Sequence, residues 1–409
     1  MRGLNYILMN HTAYRALLLN VCFTPLWVCC LLMLPGQAQE LPPETAAKIR
    51  GLWIVRHNMN SPEAIERFLK FAEQYRFTDL FVQVRGRGDA YYESHFEPTA
   101  EGVNPGFDPL SYLLLRNESY RFRIHAWVNI FYFWSSPKLP ADRNHLIYQK
   151  PDWLVYPLQY DSSGGDSASL SSRRNAEGLY HSPLNKEVQA HLLNVVHDIL
   201  ANYKVDGIHL DYIRFPGIGY DYQPDARKAF REKYLLDPLD FQKDPDAFVS
   251  NFGINGYELF YSRWAQFLRD GLSEFVETLA YQVHYDYPRV VISAAVKPDL
   301  TQAHWEFYQE WDRWLTRGWL DWAIPMNYTA DPALFRKRTE RMLAGCDPAR
   351  LLMGISLYNQ SPEAALQKIL AIENDPIVGY VLFSYDQFLQ DPDLQRKYLQ
   401  FLPTVEAEK

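Results

Sequence analysis

From Ile49 onward the chain alternates runs rich in β-branched and aromatic residues with stretches of helical periodicity, and it does so eight times. That repetition restricts the fold more than any other feature. Strands separated by helices pair in parallel, and eight such units close into a (β/α)₈ barrel. The runs predict strands near 51–56, 79–85, 123–129, 205–211, 289–297, 320–327, 350–357 and 377–384. Helices are expected near 61–75, 109–120, 186–203, 257–284, 303–317, 332–344, 361–373 and 391–401. Ser61-Pro62-Glu63 and Ser361-Pro362-Glu363 place a capping Ser before Pro at the first helical position. The barrel is expected to occupy 49–403.

Loop lengths identify the working face. Turns from helix into strand are short, as in Arg76-Phe77-Thr78 and Gly318-Trp319, whereas Gly86–Asp108, Phe131–Asn185 and Tyr212–Gly256 are long. These long segments leave strands two, three and four, and barrel active sites are built from loops at the strands' C-terminal ends. The third-strand loop includes a polar stretch, Asp161–Arg174, rich in Ser and Gly, expected to be mobile, with a plain surface excursion as the alternative.

Within this frame one segment stands out, Val205-Asp206-Gly207-Ile208-His209-Leu210-Asp211-Tyr212-Ile213-Arg214-Phe215-Pro216. Strands of a covered parallel sheet are normally continuous apolar runs. Here period-two alternation puts His209 and Asp211 on one face, which is costly unless that face opens onto a polar site. Asp211 is therefore the first candidate catalytic carboxylate. The other strand ends are polar as well: Arg56-His57-Asn58, Gln83 with Arg85, His125 with Asn129, Lys297, Asn327-Tyr328, Tyr358 and Ser384-Tyr385. Asn129, Asn327 and Tyr328 suit recognition of hydroxyls. Arg56, Arg85, His125, His209, Tyr212, Arg214, Lys297 and Tyr385 complete the expected binding ring. Arg214 and Lys297 near Asp211 would keep it ionised.

Sugar hydrolysis also needs a proton donor. Asp89, in Gly88-Asp89-Ala90-Tyr91-Tyr92, and Asp299, just beyond the fifth strand, lie in mouth-face loops and rank first. Turn capping for Asp89 and helix capping for Asp299 are their ordinary alternatives. A metal held by His125, His209 and Asp211 lacks a ligand-spacing motif, and no metal or cofactor is expected. No GxGxxG, P-loop, HExxH or GxSxG motif occurs. A net charge of −8 argues against nucleic acid as a partner. Aromatic residues make up 15% of the chain, enough to supply stacking platforms for sugar rings, with Phe131-Tyr132-Phe133-Trp134 a candidate.

Residues 1–38 read as an export segment: Arg2 and Arg15 precede the apolar run Ala16–Leu34, and Pro35-Gly36-Gln37-Ala38 offers a cleavage site after Ala38. An uncleaved membrane anchor is the alternative, and in either case the body is expected outside the cytoplasm, in the periplasm, envelope or medium. Three of the four cysteines (Cys22, Cys29, Cys30) fall in this segment, leaving Cys346 with no intramolecular disulfide partner.

At Arg50-Gly51-Leu52-Trp53, Asp79–Arg85, Gly88–Tyr92, Phe107-Asp108-Pro109-Leu110, His125–Asn129, Val205–Pro216 and Gly318–Tyr328 the chain resembles the glycosyl-hydrolase-like family 10 proteins. The resemblance implies a (β/α)₈ barrel and glycan-strand cleavage in the bacterial envelope, some relatives acting on peptidoglycan lacking its peptides. It carries over Asp89, His125, Asn129, Asp211, Arg214, Asn327 and Tyr328 as site positions. Asp206–Tyr212 also looks like the fourth strand of family 18 chitinases, but His209 replaces the middle Asp and Ile213 the acid Glu. The resulting expectation is an exported glycoside hydrolase acting on an amino-sugar-containing envelope polysaccharide, with Asp211 as nucleophile or base and no protein partner implied. A silent glycan-binding barrel and a metal-assisted deacetylase are the rival readings.

Overall fold

The computed structural model describes residues 47–160, 170 and 173–407. The proposed export segment and most of Asp161–Arg174 lie outside the described residues. Eight parallel strands form the central sheet: β1 (Ile49–Ile54), β2 (Asp79–Arg85), β3 (Arg123–Asn129), β4 (Gly207–Asp211), β5 (Val291–Val296), β6 (Trp322–Pro325), β7 (Leu352–Ser356) and β8 (Gly379–Phe383). Their order is β6-β5-β4-β3-β2-β1-β8-β7. Parallel bridges Ala323 to Leu351 and Met326 to Gly354 bring the two edges together, so the sheet curls into a nearly closed (β/α)₈ barrel.

Alternation along each strand separates two apolar layers. Leu52, Ile54, Leu80, Val82, Ile124, Ala126, Ile208 and Leu210 face the helices, where they join the large core. Trp53, Phe81, Trp127, Ile324, Leu352 and Val381 fill the barrel itself. Buried aliphatic and aromatic side chains on both faces explain why the strands read as near-continuous hydrophobic runs. One close approach fixes a glycine: a Cβ at Gly207 would lie 2.2 Å from His125 Nδ1 inside the barrel.

The helices follow the expected pattern with two departures. The fourth-unit helix, Pro245–Asp286, begins earlier than the periodicity predicts and bends at Gly253 (φ 75°), so the predicted 257–284 corresponds to its second limb. The predicted helix 303–317 is divided into Leu300–Trp305 and Trp311–Thr316, with Tyr308 at φ 54° in the interruption. Among the described residues no helix is long and apolar enough to cross a membrane. A two-stranded antiparallel ribbon, Tyr132–Trp134 with Leu179–Tyr180, ties down both ends of the long loop after β3.

Candidate active site

A cavity of about 490 Å³ opens where the strands end, and residues at or just beyond the C-terminal end of every barrel strand line it. Trp53, Val55 and Arg56 come from β1 and its exit, Gln83 from β2, and Trp127 and Asn129 from β3. Asp211, Tyr212 and Arg214 come from β4, Ala295 and Lys297 from β5, Met326 and Tyr328 from β6, Tyr358 from β7 and Phe383 from β8. The long β3 loop adds Tyr132, Ser135 and Glu177.

Asp211 is the last residue of β4, aligned with Asn129 on β3 by the sheet register. It is 8% exposed, and its carboxylate accepts a 2.7 Å hydrogen bond from the Tyr212 N–H. Burial pushes this carboxyl up to about 6, against the opposing pull of that hydrogen bond and of Arg214. Asp211 is thus ionised at neutral pH but holds its proton in mildly acidic solution, up to about pH 6, where an ordinary aspartate would already have lost it. Burial outweighs the pull of Arg214, whose guanidinium is itself paired with Glu177. Its Nη2 lies 3.0 Å from both carboxylate oxygens of Glu177, and its guanidinium sits over the rings of Tyr212 (4.9 Å) and Phe307 (4.8 Å).

Glu177 is the cavity-lining carboxylate that the sequence did not single out. Burial raises its carboxyl, but the Arg214 charge and hydrogen bonds from Tyr180 and Arg214 outweigh this and hold it below the ordinary glutamate value. The local chain explains its placement. Asn175 Oδ1 accepts from the N–H groups of Glu177 and Gly178, both at 2.9 Å, making a tight turn. Gly178 has φ 149°, and a Cβ there would lie 2.4 Å from the Trp134 carbonyl oxygen. Only glycine lets the turn pass against the ribbon and leave Glu177 facing Arg214. The Asn-x-x-Gly spacing signals a turn in the sequence; nothing in it signals which way the turn points.

The remaining cavity wall is aromatic and cationic. Trp53, Tyr328 and Phe383 pack ring against ring, and Tyr132 stacks on Tyr212 at 4.4 Å. Tyr212 adopts φ 51°, which costs on the order of 1 kcal/mol for a residue with a side chain. Lys297 rests its ammonium 4.0 Å from the Phe307 ring centroid and is pushed down to about 8 by burial and the nearby Arg214. Arg56 donates to Gln83 Oε1 at 3.1 Å.

Several residues expected at the site do not reach it. Asp89 closes its own turn by accepting from the Arg87 N–H at 2.7 Å. Asp299 caps the helix Leu300–Trp305 through the Gln302 N–H. Neither lines the cavity. Arg85 is fully buried, paired with Glu97 at 2.7 Å, and donates to the backbone carbonyls of Asn129 and Ile130. His125 lies inside the barrel with Nε2 2.9 Å from Asp79 Oδ1. His209 accepts from Trp53 Nε1 at 3.1 Å, so its other nitrogen donates to Ser293 Oγ at 3.0 Å; burial and the neighbouring His125 keep it neutral. Asn327 turns outward and donates to the Phe335 carbonyl, and Tyr385 packs on Phe71 outside the barrel. Of the buried aromatic run Phe131–Trp134 only Tyr132 meets the cavity.

His125, His209 and Asp211 do not converge. Among the described residues no group of three His, Cys, Asp or Glu side chains is arranged to hold a metal ion.

The glycosyl hydrolase-like 10 family model matches residues 48–346. Glycosyl hydrolase DigH of Escherichia coli K12 is 22% identical over 343 residues, covering 72% of this chain and 70% of the relative. Glycosyl hydrolase YngK of Bacillus subtilis is 22% identical over 177 residues, 40% of this chain and only 31% of that protein's length. In backbone the chain is similar to the PgaB (BpsB) glycoside hydrolase domain of Bordetella bronchiseptica, with a TM-score of 0.62 at 11% identity, over 86% of this chain and 98% of that domain. With the family model spanning most of the chain and the barrel in place, this protein belongs to the glycosyl hydrolase-like 10 family.

Proposed function

We propose that the chain is a glycoside hydrolase of the bacterial envelope that cleaves amino-sugar-containing glycan strands, such as peptide-free peptidoglycan. One observation carries the reading: two carboxyl groups, Asp211 and Glu177, line one cavity and their surroundings drive their acidities in opposite directions. Such divergence is how one site keeps an acid and a base available together. Below about pH 6 Asp211, whose proton burial retains, delivers it to the glycosidic oxygen as the bond breaks. Glu177, held ionised by Arg214 and Tyr180, supplies negative charge to the oxocarbenium-like centre, as nucleophile or as base toward water. The stacked rings of Tyr132 and Tyr212 and the Trp53–Tyr328–Phe383 group offer flat apolar surfaces for the sugar faces. The relatives named glycosyl hydrolases support the reaction class, and the apolar run before Ala38 supports export.

The test is release of new reducing ends from peptide-free peptidoglycan strands, with the products identified by mass spectrometry. Wild type releases them. Asp211→Asn and Glu177→Gln bind the strands but lose cleavage by roughly 10²–10⁴-fold, the usual contribution of a positioned proton-transfer group. Strand binding by wild type with no cleavage between pH 4 and 7 would contradict the proposal and leave a glycan-binding barrel.

A further inference from the structure

The cavity contains more positive charge than its carboxyls neutralise. Arg214 is paired with Glu177, but among the described residues neither Arg56 nor Lys297 has a carboxylate within ion-pairing distance, although both line the cavity. Arg56 leaves β1 with one guanidinium nitrogen engaged by Gln83, and Lys297 leaves β5 resting on the Phe307 ring. In the sheet order β1 and β5 lie across the barrel from each other, so the two cations stand on opposite sides of the mouth.

Half-buried cations without counter-ions are costly, and a planar guanidinium is shaped to grip a carboxylate. We propose that Arg56 on one side and Lys297 on the other bind sugar carboxylates, so that the site selects an acidic glycan lying across the mouth. The inference rests on the glycosidase reading of the same cavity and narrows its substrate to polymers whose repeat carries a carboxylate. A lactyl ether on a hexosamine and a ring uronate both supply that group.

Binding to the full chain, followed by quenching of tryptophan fluorescence from Trp53 and Trp127 in the cavity wall, tests this without requiring turnover. The probes are peptide-free peptidoglycan strands, the same strands with their carboxyls amidated, hyaluronan oligosaccharides and chitin oligosaccharides. At low salt the native strands or hyaluronan should bind at least about tenfold more tightly than amidated strands or chitin, as expected for a charge-assisted contact. Tighter binding of native strands identifies the lactyl carboxylate as the better ligand, and tighter binding of hyaluronan the uronate. Arg56→Gln and Lys297→Gln, both at partly exposed positions, should each remove most of the preference without shifting the thermal unfolding midpoint. Equal affinity for carboxylated and neutral polymers, or a preference that survives in the double variant Arg56→Gln/Lys297→Gln, overturns the proposal. A carboxylate preference without any cleavage would leave the anion site standing and remove the hydrolase reading.

Discussion

At the scale of single residues, Asp211 is the group whose burial matters most. Burial makes the folded chain hold this proton more tightly than the unfolded chain, where an aspartate titrates near 3.9. Its stability contribution is therefore complete below about pH 4 and is lost as pH rises through about 6. A shift of this size corresponds to roughly 3 kcal/mol. Asp211→Asn removes the penalty while keeping the shape, so urea unfolding should show the variant more stable than wild type at pH 7.5, by up to about that amount, and the gap should close near pH 4. An equal gap at both pH values would mean the carboxyl is not buried as described. Asp211 was legible in the sequence because an acid on an apolar strand is conspicuous. Glu177 was not, because in a polar loop a glutamate is ordinary and only the packed turn at Asn175–Gly178 directs it inward. Arg214→Met should expose that dependence: Glu177 loses its counter-charge, and the acidic limb of the pH–rate profile should move to higher pH.

At the scale of elements, strand periodicity identified which face a residue occupies but not how deep it lies. His125 and His209 share faces with Asn129 and Asp211, yet at about 3.3 Å per residue His209 sits roughly 7 Å below the mouth and His125 about twice that below Asn129. Depth turns candidate ligands into packing residues: His209 orients Trp53, and His125 pairs with Asp79. Asn327 fails for parity, one residue beyond the cavity-lining Met326 and facing Phe335 instead. Arg85 illustrates a third case, a charge fully committed to Glu97, which His191 also approaches at 3.0 Å, and to the backbone at the end of β3. Glu97→Gln leaves the Arg85 charge buried without its partner and should destabilise the protein by about 3–5 kcal/mol in denaturant unfolding. A cost under about 1 kcal/mol would show that this network does not anchor β3. Gly178→Ala tests the loop that carries Glu177: the collision with the Trp134 carbonyl should lower kcat on glycan strands at least tenfold, the scale expected for a misplaced catalytic group. Unchanged kcat would separate the turn from the chemistry.

For the whole molecule, the barrel was readable because eight units repeat the same alternation, and all eight strands fall within two residues of their expected ends. The interrupted fifth-unit helix and the bend at Gly253 were less readable, because short helices and kinks are set by tertiary packing more than by periodicity. The fold also fixes the chemistry's setting: every strand contributes at its C-terminal end, so the two carboxyls line one cavity only when the barrel and the β3 loop are both in place. The most direct test of the central claim is the pH dependence of kcat/KM on glycan strands, run beside a 4-nitrophenyl glycoside whose leaving group needs no proton. The assignment of Asp211 as acid and Glu177 as its ionised partner predicts a falling limb near pH 6 on glycan strands. It also predicts that Asp211→Asn cleaves the nitrophenyl substrate without that limb, and that Glu177→Gln cleaves neither. A limb near pH 6 that persists in Asp211→Asn, or a Glu177→Gln variant that still cleaves both, would contradict it.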